Sequence, residues 1–459
     1  MPERSEALQC DRTSKHSRSS THQQMPMSTS PSYDATTITK SIRSGKISAR
    51  EICVEFLERI TTCEPRIHAF AHLDPEAAIR MAESVDSRSV KGPLAGVPIG
   101  VKDIFDTVDM PTEYNSPIYE GHRPSRDCSA VARLRAKGAV VIGKTATTEF
   151  AFMHTGPTRN PFGRNRTPGS SSAGSAAGMA AGFFPIALGT QTAGSLIKPA
   201  SYCGSFAYKP TFGRVSMEGV KPLAPSMDTI GWFGRSVEDL RLLAEALLGE
   251  EWLAGVTVTA PLKIIAAETD FWDESSADVR EVFRWSLEAL RDSGHEVQEV
   301  TVPFDYRTLA EAHKVINDKE GARSLRYEYE FHRALLSDSV LKMIDDAHER
   351  SCTEEMAARA YIQVKTRDMM NFMKAYDVIV TPSTAHEAPE GLAATGTSNF
   401  IKTWNALGVP QVNVPVRRGR HGLPIGLQLV GAYGNDSRLL DIARAVSAEL
   451  GVETSELAD

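Results

Sequence analysis

Residues Pro168 to Pro199 read PGSSSAGSAAGMAAGFFPIALGTQTAGSLIKP, and this stretch decides the fold that we expect. No charged residue occurs from Thr167 to Ile197, and most of the side chains are those of Gly, Ala, Ser or Thr. Small side chains let backbones approach closely, and glycine adopts dihedral angles that other residues avoid. The stretch therefore predicts a tight turn, a closely packed helix from Gly174 and a second tight turn, with hydroxyl groups at both ends.

The segments around this stretch alternate between short apolar runs and helical patterns. Residues 99–101 and 139–142 are apolar runs typical of buried strands, and residues 129–137 between them have a helical pattern. Further strands are predicted at residues 184–188, 263–266, 296–302, 378–382 and 423–430. This rhythm predicts an α/β fold with a large mixed, mostly parallel twisted central sheet that helices cover on both faces.

The chain divides into a short tail and one long domain. Residues 1–33 are polar and rich in Ser, Thr and Gln, which predicts a disordered N-terminal tail. No clear linker follows, so we expect a single domain over residues 34–459. Within it, residues 307–375 are more charged and mainly helical in pattern, which predicts a cap-like region over one edge of the sheet.

Composition and charge give no sign of a nucleic-acid or membrane partner. The chain of 459 residues is 41% hydrophobic and 24% charged, and its net charge of −7 gives no basic surface for nucleic acid. No apolar run reaches the ~18 residues of a membrane span, and no signal peptide is visible, so we expect a cytoplasmic protein. The six cysteines form no CxxC pair, and neither a metal site nor an organic cofactor is implied. No interface can be read from the sequence, which leaves a homodimer open.

The serines of the opening stretch become nucleophiles only with a base nearby. A Ser-His-Asp arrangement would use a histidine, but His154, His386 and His421 lie in turn-like segments without a local motif. The spacing from Ser195 to Lys198 matches the S-x-x-K signature of penicillin-binding proteins, although its partner motifs are missing. Both alternatives are weak.

The remaining candidate base is Lys102, which follows the apolar run Ile99–Val101. Burial disfavours the charged form of a lysine and lowers its pKa, so a lysine at the end of a buried strand can act as a base. The opposing interpretation is a structural ion pair between Lys102 and Asp103. Local sequence does not decide between the two.

Three ordered motifs resemble the amidase signature family. They are Val101–Asp103, the run PGSSSAGS from Pro168 to Ser175, and the run GTQTAGS from Gly189 to Ser195. The resemblance extends over roughly residues 40 to 450 and includes the stretches Tyr208–Gly213 and Trp404–Pro410. It implies the amidase signature fold and hydrolysis of C–N bonds by a Ser–cisSer–Lys triad.

The resemblance assigns roles by position. Ser195 is implied as the nucleophile, Ser171 as the bridging serine after a cis peptide bond, and Lys102 as the base. The backbone N–H groups of Thr192, Ala193, Gly194 and Ser195 are implied as the oxyanion hole.

Four residues depart from the family pattern. Ser170, Ala173 and Ala193 stand where the family usually has glycine, and Ile197 stands where arginine is frequent. Since that arginine can bind a substrate carboxylate, Ile197 favours a neutral or apolar acyl group. We predict substrate contacts from Met153, Ser170, Gln191 and Ile197.

The leading hypothesis is an amidase acting on small neutral amides, anilides or carbamates, with such a small molecule as its substrate. The alternative is the glutaminase subunit of a tRNA-dependent amidotransferase, which would need protein and tRNA partners. A catalytically silent binding module is the third hypothesis, and the intact triad positions argue against it. Phe150 and Trp404 are interpreted as core residues, because aromatic side chains usually serve packing.

Overall fold

The computed structural model describes residues 33–249, 258 and 261–456. Except for Tyr33, the predicted N-terminal tail lies outside the described residues. Within them, eleven strands are found: β1 (Phe70–Leu73), β2 (Pro98–Lys102), β3 (Val140–Thr145), β4 (Ile186–Gln191), β5 (Phe206–Lys209), β6 (Thr229–Gly234), β7 (Lys263–Ala266), β8 (Glu296–Glu299), β9 (Val378–Pro382), β10 (Gln411–Arg418) and β11 (Pro424–Val430).

The same residues form fourteen α-helices: α1 (Ala35–Arg43), α2 (Ala49–Ile67), α3 (Pro75–Asp86), α4 (Ser129–Ala136), α5 (Ala173–Ala180), α6 (Ile197–Tyr202), α7 (Val237–Leu248), α8 (Ala277–Asp292), α9 (Tyr306–Ser324), α10 (Arg326–His332), α11 (Asp338–Glu349), α12 (Cys352–Phe372), α13 (Asn399–Ala406) and α14 (Asp436–Glu449).

All eleven strands belong to one mixed sheet in the order β1-β3-β2-β4-β6-β5-β10-β11-β9-β7-β8. The parallel strands β3, β2 and β4 bring residues 102, 145 and 190 to the same edge, because parallel strands end on the same side. The candidate base and the opening stretch therefore meet at the carboxyl ends of these three strands.

The predicted mixed sheet is confirmed, but parallel pairs do not predominate. Among the described strands, four of the ten pairings are parallel and six are antiparallel. Five of the six antiparallel pairings involve β1, β5, β6 or β10, which the sequence pattern does not predict. The strand–helix–strand rhythm identifies only strands that are joined by helices, so it overstates the parallel share.

Helices cover both faces of the central sheet. Every residue of β2, β3, β4, β5 and β6 is buried. Because successive side chains of a strand point to opposite faces, complete burial requires a covering layer on each side.

Helix α5 is the closely packed helix that the sequence predicts. All of its residues are buried, and a Cβ built on Gly174 would lie 2.1 Å from the Ala69 carbonyl oxygen. Only glycine permits this approach, which brings the N-terminus of α5, and with it Ser171, against the sheet.

The mainly helical region predicted at residues 307–375 is also present, as α9 to α12. Helix α9 packs on α11, α12 and α13. It also reaches the loop after β4, through the side chain of His313.

Candidate active site

The Lys102 side chain lies at the end of β2 and is fully buried. Its Nζ lies 2.7 Å from Ser171 Oγ and 2.8 Å from Thr190 Oγ1. Both partners are hydroxyl groups, and in the described part of the chain no carboxylate pairs with this lysine. The structure thus joins two of the three predicted triad residues by a direct hydrogen bond.

Burial lowers the pKa of Lys102 to about 7, and the Asp228 carboxylate opposes this shift. Asp228 is itself buried, where its carboxylate accepts hydrogen bonds from Thr192 Oγ1 and from the backbone N–H groups of residues 223 and 224. Near neutral pH a substantial fraction of Lys102 is therefore an uncharged amine, the form that accepts a proton.

The peptide bond between Ser170 and Ser171 is cis, as the resemblance implies. Two further contacts fix the backbone here: the Thr148 N–H donates to the Ser171 carbonyl at 3.3 Å, and Ser172 Oγ lies 3.4 Å from the Thr190 carbonyl oxygen, to which it donates. Ser171 is buried, so its hydroxyl faces Lys102 inside the protein.

The predicted nucleophile, Ser195, lies on the loop between β4 and α6 and is partly exposed. Within the described residues its hydroxyl forms no hydrogen bond, so it is not linked directly to Ser171. Hydrogen bonds of this kind are often long in the absence of substrate and shorten in the substrate complex. Ser195 is the member of the predicted triad that can be reached from solvent.

The loop from Thr192 to Ser195 presents free donors. None of these four backbone N–H groups donates to another described residue. Buried backbone N–H groups are almost always paired, so a run of unpaired donors that ends at Ser195 is compatible with the predicted oxyanion hole.

Gln191 anchors the C-terminal side of this loop. Its Oε1 accepts hydrogen bonds from the N–H groups of Leu196 and Ile197, each at 3.1 Å. Its Nε2 donates to Gln411 Oε1 at 3.0 Å and to Asn405 Oδ1 at 3.4 Å. The sequence predicts a substrate contact for Gln191, but its side-chain amide is fully engaged in hydrogen bonds within the protein, so Gln191 supports the loop.

The Thr192 carbonyl receives two more donors, which hold the loop from the other side. Asn405 Nδ2 donates to it, and His313 Nε2 lies 2.8 Å away on α9. Because a carbonyl only accepts, Nε2 of His313 carries the proton. Burial lowers the pKa of His313 to about 4, so the ring is neutral in this role.

Four supporting residues were not identified as such from sequence: Thr190, Asp228, His313 and Asn405. Thr190 lies inside the Gly189–Ser195 motif and Asn405 inside the Trp404–Pro410 stretch, so for these two a signal was present. Asp228 and His313 lie in no motif that the sequence offers.

The other residues predicted to contact substrate differ in their exposure to solvent. The Met153 side chain is 45% exposed, whereas Ile197 is fully buried at the start of α6. Ser170 is nearly buried, and its hydroxyl lies 3.3 Å from Lys198 Nζ. Phe150 and Trp404 are core residues, as interpreted.

The competing bases are not supported by the geometry. The three candidate histidines are exposed, and Lys198 contacts Ser170 and not Ser195. The Asp103 carboxylate pairs with Lys144, at 2.9 Å, and not with Lys102. Lys102 therefore contacts the hydroxyl groups of Ser171 and Thr190 without a carboxylate partner among the described residues.

Comparisons with known proteins identify the family of the chain. The family model described as Amidase matches residues 51–440. The chain belongs to the amidase family. It is accordingly a hydrolase acting on C–N bonds.

Among curated amidase relatives, the glutamyl-tRNA(Gln) amidotransferase A subunit of Gloeobacter violaceus (strain ATCC 29082 / PCC 7421) is 31% identical over 458 residues, which are 88% of this chain and 94% of that protein. A solved structure described as an amidase is 31% identical with a TM-score of 0.84, covering 91% of this chain and 100% of that one. The structure of 6-aminohexanoate cyclic dimer hydrolase complexed with substrate is 25% identical with a TM-score of 0.82, covering 91% and 97%.

The described residues contain neither a membrane-spanning helix nor a metal-ligand cluster. None of their helices is long and apolar enough to cross a membrane. Residues 33–249, 258 and 261–456 also contain no group of three His, Cys, Asp or Glu side chains that could hold a metal ion.

Proposed function

We propose that this amidase hydrolyses small neutral amides, anilides or carbamates through an acyl-enzyme on Ser195. One observation carries the proposal: the buried Lys102 amine lies 2.7 Å from the Ser171 hydroxyl and has no carboxylate partner among the described residues. A lysine in this environment is a base near neutral pH, and the serine it contacts can relay a proton.

In the first half of the reaction Ser195 is acylated. Neutral Lys102 accepts the proton of Ser171, which takes the proton of Ser195 as its Oγ forms a bond to the substrate carbonyl carbon. The electron pair of the C=O bond moves onto oxygen, where the N–H groups of residues 192–195 stabilise the negative charge. When the tetrahedral intermediate collapses, the C–N bond breaks and the proton returns through Ser171 to the leaving nitrogen.

The second half regenerates the enzyme. Water attacks the ester carbon on Ser195 while its proton passes through Ser171 to Lys102. The carboxylic acid leaves, or a carbonic acid monoester leaves when the substrate is a carbamate, and the proton returns to Ser195 Oγ. The chemistry uses only side chains and backbone donors of this chain.

The preference for neutral substrates rests on α6, which begins two residues after Ser195. Ile197 is fully buried there, and Lys198 is nearly buried with its amine bonded to protein oxygens. This helix therefore offers no free cation to a substrate carboxylate. The exposed Met153 side chain supports an apolar acyl group.

A second candidate is glutamine hydrolysis in an amidotransferase. It is favoured by the curated relatives named as A subunits of glutamyl-tRNA(Gln) amidotransferase, whose length the chain covers almost completely. Glutamine carries an α-carboxylate and an α-ammonium group, so this role would need charged partners close to Ser195.

The test is a hydrolysis panel with an aliphatic amide, an anilide, a carbamate and glutamine. For Ser195→Ala we expect the rate on the preferred neutral substrate to fall by at least ~10³-fold, because the nucleophile is removed. Ser205→Ala is the matched control, since Ser205 is buried and its hydroxyl has no hydrogen bond within the described chain. This control should keep wild-type rates.

Two results would overturn the proposal. Wild-type rates in a folded Ser195→Ala variant would exclude Ser195 as the nucleophile. Hydrolysis of glutamine without hydrolysis of any neutral substrate would favour the second candidate, and co-purification with partner subunits would strengthen it.

A further inference from the structure

A second buried lysine lies next to the candidate triad. Lys198 is only 2% exposed, and its Nζ lies 3.3 Å from Ser170 Oγ and 3.1 Å from the carbonyl oxygen of Gly396. The two serines joined by the cis bond thus each contact their own buried lysine. In the described residues no carboxylate pairs with Lys198.

The carbonyl that Lys198 holds belongs to a segment beside the nucleophile loop, residues 395–398. At one end, a Cβ built on Gly194 would lie 2.7 Å from Ser398 Oγ, so the segment packs directly on the loop of free N–H groups. At the other end, Thr395 Oγ1 lies 4.0 Å from Met153 Sδ. Residues 395–398 therefore lie between the candidate oxyanion hole and the exposed methionine.

Hydrogen bonds to other parts of the chain hold the backbone on both sides of these residues. Before the segment, the Thr167 N–H donates to the Pro389 carbonyl and the Gly391 N–H donates to the Asn165 carbonyl. After it, helix α13 begins, where Asn399 Nδ2 donates to Glu274 Oε2. Between these two sides, α6 meets Gly396 at two described residues: the Tyr202 ring packs against the glycine, and the Lys198 amine donates a hydrogen bond to its carbonyl.

We propose that Lys198 is a positioning residue for acyl-group selection, because its amine holds Ser170 and the Gly396 carbonyl together and so fixes segment 395–398 beside Ser195. This inference rests on the proposed function.

Both contacts suit an amine. Burial lowers the pKa of Lys198 to about 7. As an uncharged amine it donates to the Gly396 carbonyl and accepts from the Ser170 hydroxyl, and as an ammonium it donates to both oxygens. Either form keeps the segment attached to α6. An apolar side chain of the same length would fill the space without attaching anything.

The experiment compares Lys198→Met with Lys209→Met. Lys209 is the matched control: it is also fully buried, its Nζ donates to the Pro210 carbonyl at 2.8 Å, and burial lowers its pKa to about 7. The readout is the rate at which Ser195 reacts with a short-chain and a long-chain alkyl fluorophosphonate. The ratio of the two rates reports acyl selection and is insensitive to the amount of folded enzyme.

We expect the ratio to change by about threefold to tenfold in Lys198→Met, the equivalent of one lost hydrogen bond. Amide hydrogen exchange in residues 392–398 should become faster by a similar factor. Lys209→Met should leave both quantities at wild-type values. In Ser170→Ala the Gly396 contact remains, so a smaller change of the ratio is expected, and the double variant should resemble Lys198→Met alone.

The outcomes separate the two proposals. A wild-type enzyme that reacts with neither probe at Ser195 would overturn the proposed function. Normal labelling, with a ratio and exchange rates in Lys198→Met that match the wild type, would overturn the positioning role alone. Equal changes in Lys198→Met and Lys209→Met would also overturn it, because the effect would then belong to any buried lysine.

Discussion

Two buried lysines lie on neighbouring strands, and only one of them contacts a carboxylate. Lys144 on β3 lies 2.9 Å from the Asp103 carboxylate, and its Nζ also donates to Thr112 Oγ1 and to the Pro111 carbonyl. Lys102 on β2 contacts only two hydroxyl groups. Both side chains are fully buried, so burial alone does not distinguish them.

The carboxylate decides what each lysine can do. Burial lowers the pKa of Lys144, but the charge of Asp103 opposes the shift and favours an ion pair. Lys102 has only the more distant Asp228 to oppose burial, and its pKa falls to about 7. A lysine with a carboxylate in contact serves the fold, and one with hydroxyls in contact is available for proton transfer.

The largest expected effect is the loss of activity in Lys102→Met. Without the base, kcat/KM on the preferred substrate should fall by at least ~10³-fold, while the free energy of unfolding is maintained, because a buried amine without a carboxylate is replaced by an apolar side chain. Steady-state kinetics and chemical denaturation of the same samples give both numbers.

Lys144→Met is the matched counterpart and should show the reverse. It leaves the Asp103 carboxylate buried and unpaired, which should cost about 3–5 kcal/mol of unfolding free energy. The folded fraction should keep kcat/KM within about tenfold of the wild type. If Lys144→Met lost activity as completely as Lys102→Met without losing stability, the distinction between the two lysines would be wrong.

The pH dependence of kcat/KM should reflect the lowered pKa of Lys102. Lys102 acts as a base only when neutral, and its pKa in the folded protein is lowered to about 7. We therefore expect kcat/KM to rise with pH, about tenfold per unit below pH ~7, and to level off above it.

Lys198→Met is the control for this profile, because the pKa of Lys198 is also about 7. If Lys102 is the base, kcat/KM of this variant still falls with decreasing pH below pH ~7, as in the wild type. If this fall in kcat/KM disappeared in Lys198→Met, Lys198 and not Lys102 would be the base.

The smallest expected effect concerns the threonine beside each lysine. Thr190→Val removes one of the two hydrogen bonds of Lys102 and should lower kcat/KM by about threefold to tenfold. Thr112→Val removes the corresponding bond of Lys144 and should cost about 1–3 kcal/mol of unfolding free energy without changing kcat/KM. Equal kinetic effects in the two variants would contradict the assignment.

The residues to which we assign the chemistry could be selected from the sequence because they lie in short motifs. Lys102, Ser171 and Ser195 were identified by position, and the structure joins the first two. Their supports could not be predicted, since these depend on contacts between distant parts of the chain. The hydrogen bond from Gln191 to Gln411, for example, joins residues that are 220 positions apart, and no local sequence pattern predicts it.

The fold was predicted where strands alternate with helices and missed elsewhere. Strand β6 contains two glycines, and β10 contains Pro415, and both residue types are uncommon inside strands. Both lie in the middle of the sheet and pair antiparallel with their neighbours. Tertiary pairing, and not local propensity, makes them strands.

The supports of the nucleophile loop have a consequence for the order in which the protein is made. Lys102, Ser171 and Ser195 all belong to the first half of the chain. The residues that brace residues 191 and 192, however, include His313, Asn405 and Gln411. During synthesis the three reactive side chains therefore leave the ribosome long before the loop can receive its last hydrogen bond. The complete site exists only after most of the polypeptide has been translated.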